Sequence, residues 1–214
     1  MTTIAELHIG DDPVAWQRIG LDVDAGHTAH VGHVRLRFHP NTEPRGIFRW
    51  TLAGTPDETV TDVDGLATDH AEPPSLPGLA PSHLVGAVSI DHLVVMTPDL
   101  ERTSAALTRQ TGLQLRRTRD TEASGRPMRQ AFFRMGEVVL EVVGAPEPEA
   151  EGGPARFWGL VFTVDSLSEA LDFLGPDLVS EPRTAVQPGR SIATVRSAAG
   201  LAVPLALMSA EPGR

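Results

Sequence analysis

Apolar and polar positions change period several times along this chain, and from about residue 88 they do so in the same order twice. Ser89-Ile90-Asp91-His92-Leu93-Val94-Val95-Met96 reads as a buried strand ended by Thr97-Pro98. Thr97 or Asp99 then caps a helix from Leu100 to Leu107, whose apolar residues recur at helical spacing until Gly112 stops it. Strand-like runs follow at Leu113 to Thr118, Met128 to Met135 and Val138 to Val143, so residues 88–146 read β, α, β, β, β. Residues 155–211 repeat the order: a strand at Phe157 to Val164, a cap at Asp165 or Ser166, a helix from Leu167 to Leu174, and strands at Ile192 to Arg196 and Leu201 to Met208. The registers agree as well. His92 precedes Leu100 by the eight positions that separate Gly159 from Leu167, and Gly125-Arg126 stands eleven before Gly136 as Gly189-Arg190 does before Gly200.

Residues 1–55 read as a worn, partial βαβ-type copy. Ile4 to Ile9 is a strand, Asp11-Asp12-Pro13 opens a short helix that ends at Gly20, and His30 to Phe38 patterns about Gly32 as Arg134 to Val142 does about Gly136. Gly46 to Ala53 continues that sheet as a further strand. Residues 56–87 hold Pro56, Pro73, Pro74, Pro77 and Pro81, which predicts a mostly irregular connector, pinned by Leu66, Leu76, Leu79 and Leu84. The apolar face of the first part, with Ile4, Trp16, Val34, Leu36 and Trp50, is too small for a core of its own, so it is expected to pack on the paired modules.

Composition narrows the partners. The chain has 214 residues, 41% of them hydrophobic, and no cysteine, which excludes disulfides, thiolate metal sites and a cysteine nucleophile. A formal charge of −10 argues against nucleic acid, whose affinity comes chiefly from basic side chains. No apolar run approaches the ~18 residues of a membrane span, and the first residues lack the features of an export signal, so the expectation is a cytoplasmic protein without membrane contact. Arg116, Arg117 and Arg119 read as the solvated face of an edge strand.

Three segments together resemble the vicinal oxygen chelate superfamily, which includes glyoxalase I, bleomycin-resistance proteins, extradiol dioxygenases and methylmalonyl-CoA epimerase. They are Ile90-Asp91-His92-Leu93-Val94-Val95-Met96-Thr97-Pro98-Asp99-Leu100, the run from Ala131 to Glu141, and Leu160-Val161-Phe162-Thr163-Val164-Asp165-Ser166-Leu167. The resemblance implies an α+β fold of tandem βαβββ modules that form a curled mixed-sheet cleft, with one metal ligand on the first and one on the last strand of each module. On this chain the first module offers His92 and Glu141, and the second offers Gly159 and Leu205, or Pro204 if the strand slips by one. The second pair cannot ligate through side chains, and two ligands fall short of the three that stable catalytic sites use.

The resemblance therefore implies a glyoxalase-like small-molecule-binding protein with an incomplete metal site. No cofactor is expected, and a divalent metal on His92 and Glu141 only if ligands are added from elsewhere. His92 and Glu141 are then an acid–base or ligand-contact pair, or else a structural strand histidine and its neighbour. Phe132, Trp158, Gly159, Val161 and Leu205 are the expected ligand contacts, an aromatic wall with room at Gly159. Two other readings stay open: a metal-dependent lyase, isomerase or dioxygenase of the same superfamily, and a non-catalytic scaffold. A monomer and a homodimer are both compatible, since modules of such proteins pair within a chain or across two. His27, His30 and His33 cannot converge from one strand without a turn, and Arg37 is assigned a solvent-facing role.

Overall fold

The structure, a computed structural model, describes residues 1–72, 83–123, 125–149 and 152–211. It is an α+β fold with two mixed sheets. The first sheet is built from β1 (Thr3–Gly10), β2 (Thr28–Val31), β3 (Val34–Phe38), β4 (Gly46–Ala53), β5 (Asp62–Val63) and β6 (Leu66–Ala71), in the order β2-β3-β1-β4-β6-β5. Helix α1 (Pro13–Arg18) follows β1, capped by the Asp12 side chain on Val14 N–H, with proline at the first helical position where no amide is needed.

The second sheet carries the two repeats. β7 (Ala87–Met96), α2 (Leu100–Thr111), β8 (Leu115–Ala123), β9 (Arg126–Met135) and β10 (Val138–Gly144) form the first. β11 (Arg156–Val164), α3 (Leu167–Leu174), β12 (Arg183–Thr184), β13 (Ser191–Thr194) and β14 (Leu205–Ser209) form the second, and the sheet order is β12-β13-β14-β11-β7-β10-β9-β8. In each repeat the last strand pairs parallel with the first, and the preceding strands pair antiparallel outward. Both helices have the expected caps. Asp99 accepts from Arg102 N–H and Ser166 from Glu169 N–H, and Gly112 closes α2 at φ +72°, a conformation that costs glycine little.

The chain divides into two compact units, each of which takes strands from both ends of the sequence. The first gathers Met1–Leu7, the stretch from Ile47 through β6, and His92–Gly159; the second gathers His8–Gly46, the residues leading into β7 as far as Asp91, and the chain from Leu160 onward. In the first, Trp50 is fully buried, edge-on to Phe157 at 5.2 Å, and its indole N–H donates to Thr68 Oγ1 at 2.7 Å. α2 packs against β5, β9 and β10, and its buried Thr103 hydroxyl donates to Asp64 Oδ2 at 2.5 Å. In the second, Trp16 is equally buried between Phe38 and Phe162, ring centres 5.1 and 6.4 Å away. Its indole N–H donates at 3.0 Å to Asp11, a buried carboxylate that also receives Ala202 N–H at 2.7 Å and the Arg45 guanidinium at 2.6 Å. An ion pair buried on both sides lies in that unit: Arg190, 5% exposed, donates to Asp91 at 2.5 Å, to Thr163 Oγ1 and to the Ser209 carbonyl, which ties together β7, β11 and β14.

Three expectations need correction. The stretch from 56 to 87 is not an irregular connector throughout, because β5 and β6 lie in it and β6 pairs parallel with β4. Val63 and Leu66 are fully buried, which supplies the apolar contacts that hold those strands, whereas Leu84 is 74% exposed and pins nothing; Pro73, Pro74, Leu76, Pro77, Leu79 and Pro81 lie outside the described residues. The run from His30 to Phe38 is a hairpin turned at Gly32 with φ +62°, as its likeness to the run about Gly136 implies. A short strand, β12, precedes β13 where none was expected.

The third concerns the last strand. In the first repeat Glu141 stands beside Val94, while in the second Leu205 stands beside Leu160 and Ala206 beside Val161. Val94 and Val161 are equivalent by the repeat spacing, so Ala206, not Leu205 or Pro204, matches Glu141. The slip has a local cause. β9 and β10 join through a tight turn in which Met135 pairs with Val138, whereas β13 and β14 join through a longer connection with a 3-10 helix at Ser197–Ala199, which Gly200 ends.

The indole rings hold units that the sequence repeats alone would not assign. Trp16→Ala and Trp50→Ala are each expected to cost about 3–5 kcal/mol, read from urea unfolding of the full chain. Arg190→Ala leaves the Asp91 carboxylate without its guanidinium, and about 3 kcal/mol of stability should be lost in the same assay; a loss below a tenth of that would mean the pair holds nothing.

Candidate functional site

The face that carries the sequence-predicted pair belongs to the first unit and follows from strand register. His92 pairs with Val139 and Val94 with Glu141 across the parallel β7–β10 ladder. Glu141 pairs with Phe132 and Val143 with Gln130 across β10–β9, and Phe132 pairs with Arg117 and Gln130 with Arg119 across β9–β8. Directly paired residues point to the same side of a sheet. His92, Glu141, Gln130, Phe132, Arg117 and Arg119 therefore share one face. The alternate residues Leu93, Val95, Ala131, Phe133, Leu140 and Val142 are at most 1% exposed and make the core on the other side, where α2 packs against β9 and β10.

Glu141 is the chemical centre of the face. Its Oε1 accepts from Gln130 Nε2 at 2.5 Å. Burial pushes its carboxyl above the ordinary range for glutamate, against the pull of His92, Arg119, the Gln130 hydrogen bond and Arg117. The desolvation cost of a carboxylate here exceeds what its neighbours return. His92 is 7% exposed and attracts the charged form of Glu141 from the next strand. The Arg117 guanidinium lies 4.6 Å from the Phe132 ring centre, a cation–π contact. Arg119 Nε and Gln130 Oε1 are both buried and neither has a hydrogen-bond partner among the described residues.

His92, Glu141 and Phe132 are thus brought together. Trp158, also in the first unit, is 46% exposed, whereas its neighbour Phe157 is buried against Trp50, so strand alternation divides the two rings. Gly159 is buried. Val161 and Leu205 lie in the second unit and do not share a face: Leu205, 2% exposed, sits with Leu160 on the packed side, and half-buried Val161 sits with Ala206. His27 lies in a turn at φ +59°, His30 on β2 and His33 in the hairpin turn, and no metal-binding group among the described residues includes them. Gln130, Arg117 and Arg119 were not singled out as site residues from sequence. Their signal was period two: Gln130 stands two before Phe132, and Arg117 and Arg119 stand two apart on a strand hairpinned to it.

The donor set does not fit a family-type metal centre. Among the described residues no group of three or more His, Asp or Glu side chains gathers to hold an ion. The positions of the second repeat that match His92 and Glu141 are Gly159 and Ala206, which have no ligating side chain. An imidazole and one hydrogen-bonded carboxyl remain, one ligand short of a stable three-ligand site.

Comparison with known proteins agrees with this architecture. Residues 89–190 match the family described as the Glyoxalase/Bleomycin resistance protein/Dioxygenase superfamily. Among solved structures, a variant of 4-hydroxymandelate synthase from Streptomyces coelicolor is similar with a TM-score of 0.66 at 13% identity, covering 99% of this chain and 93% of that one. A halotolerant catechol dioxygenase gives 0.61 at 11%, covering 97% and 86%. A xylose isomerase-like TIM barrel/4-hydroxyphenylpyruvate dioxygenase fusion protein gives 0.63 at 9%, covering 99% of this chain and 49% of that one. Identities this low speak for fold and leave chemistry to the site itself. No curated protein matches the chain in sequence. Residues 89–190 thus match the glyoxalase/bleomycin resistance protein/dioxygenase superfamily, and the paired βαβββ order that the strands display is similar in fold to the solved structures above.

Proposed function

We propose that the protein binds a small molecule on the β7–β10 face of its first unit, with His92 and Glu141 as the polar anchors and Phe132 with its valine neighbours as the apolar floor. One observation carries this reading. A carboxyl group is held half-buried, with its pKa raised, on the sheet face that α2 does not cover, among donors whose hydrogen-bonding capacity is not used up. A structural pair has no need of such leftovers, whereas a binding site for a polar ligand does. Sequestration without chemistry is sufficient for this arrangement and needs no metal.

The raised pKa favours one second reading, acid–base catalysis by the same pair. A carboxyl with a raised pKa holds its proton to higher pH than an ordinary glutamate and can donate it to a bound substrate, and a neighbouring imidazole can return it. Both readings use the same residues and differ only in turnover.

In a thermal-shift screen of metabolites against the full chain, a hit that uses this face should be lost in His92→Ala while the unliganded melting temperature changes by no more than a few degrees. Retention of the hit in both His92→Ala and Glu141→Gln would overturn the assignment. The pH dependence of stability gives a second measurement. Folded Glu141 holds its proton more tightly than the unfolded chain does, so stability falls as pH rises from the ordinary carboxyl range through the raised value. Glu141→Gln, which cannot ionise, should therefore be more stable than the parent at neutral pH, with the difference closing as the pH is lowered below the ordinary glutamate range.

A further inference from the structure

We propose that the Arg119 end of this face is a carboxylate subsite, which takes a small organic acid bearing a hydroxyl or amine on the carbon next to its carboxylate, the anion on Arg119 and the neighbouring donor on Gln130. The inference rests on the ligand-binding reading above and adds the class of the ligand.

Arg119 and Gln130 are directly paired across β8 and β9, so their side chains leave the sheet about 5 Å apart on the same side. Arg119 presents a buried Nε–H with no acceptor, and Gln130 a buried Oε1 with no donor, among the described residues. The Gln130 amide is not free to turn away, because its Nε2 is held by Glu141 at 2.5 Å. A donor and an acceptor left side by side in a half-buried place ask for an acceptor and a donor on adjacent atoms of one partner. Charge decides which acceptor. Arg119 forms no salt bridge among the described residues and acts on Glu141 only at a distance, so no carboxylate oxygen sits on its buried Nε–H. The Arg117 guanidinium, seated on Phe132, adds positive potential at the same edge. An anionic oxygen there makes a charge-assisted bond that a neutral carbonyl does not match. The overall charge of −10 makes two arginines side by side on one face more notable still. Val139 and Val143, on the same face beside Glu141, leave room on the ligand for an apolar body.

Calorimetric titration of the full chain with three probes tests this directly: phenyllactate carries both groups, phenylpropionate lacks the hydroxyl, and phenylpropanediol lacks the anion. Phenyllactate should bind, phenylpropionate about tenfold more weakly, and phenylpropanediol more weakly again. Arg119→Gln should lower phenyllactate affinity at least about tenfold with circular dichroism unchanged, and Arg119→Lys should keep the preference for the acid over the diol. Equal binding of acid and diol, binding indifferent to Arg119→Gln, or no binding of any probe at about 10 mM would each overturn the subsite. Binding of the diol as tight as that of the acid, lost in His92→Ala, would remove the carboxylate subsite and leave the ligand-binding reading standing.

Discussion

Parallel pairing of the first and last strands of each repeat is the constraint on which the rest of this protein depends. Adjacent parallel strands cannot be joined by a hairpin, so the chain must leave the sheet, cross over and return. Here the crossover carries a helix and two antiparallel strands, and the return places β10 beside β7 and β14 beside β11. Shifting either ladder by one residue would exchange the buried and open faces of the strand. Glu141 reaches the open face only because Leu140 and Val142 hold the core face. The same logic orders the N-terminal sheet, where β6 returns parallel to β4 with only β5 between them in sequence.

Much of this was legible in the sequence because two different periods sit next to each other. The change from alternating to helical spacing at Thr97-Pro98 and again at Asp165-Ser166 fixes both helices and their caps, and β4 was readable from Gly46 to Ala53. What escaped were elements held by tertiary contact. β5 and β12 are two residues long and carry no period, and β6 ends in Thr68-Asp69-His70-Ala71, which reads as polar until Trp50 is known to lie beside Thr68. The position of Leu205 was misjudged for a related reason. A glycine spacing kept constant between the repeats suggested equal hairpins, yet Gly136 sits in a two-residue turn and Gly200 ends a 3-10 helix.

The site was half legible. His92 and Glu141 could be placed on one face by alternation alone, and the structure puts them there. Gln130, Arg117 and Arg119 depended on the register of the β8–β9 hairpin. A bulge between Leu115 and Arg117 shifts that register, and spacing cannot reveal such a bulge. The consequence is chemical rather than geometric. With His92 and Glu141 alone the face looks like the remnant of a metal centre; with two guanidiniums and an amide added, it becomes a set of donors facing a reluctant carboxyl.

The Asp11 carboxylate has a meaning for how the chain is made. Its Oδ2 accepts from Trp16 five residues away and from the backbone of Ala202, 191 positions later. While a ribosome is still synthesising the chain, that second donor does not exist, and neither do Phe162 and Leu207 of the same unit. The nascent N-terminal half must hold Trp16 and a buried acid without their final neighbours for nearly the whole of translation, and such long closures are slow to form once they become available. During synthesis this unit is exposed to misassociation, and a chaperone that shields apolar surface would protect it.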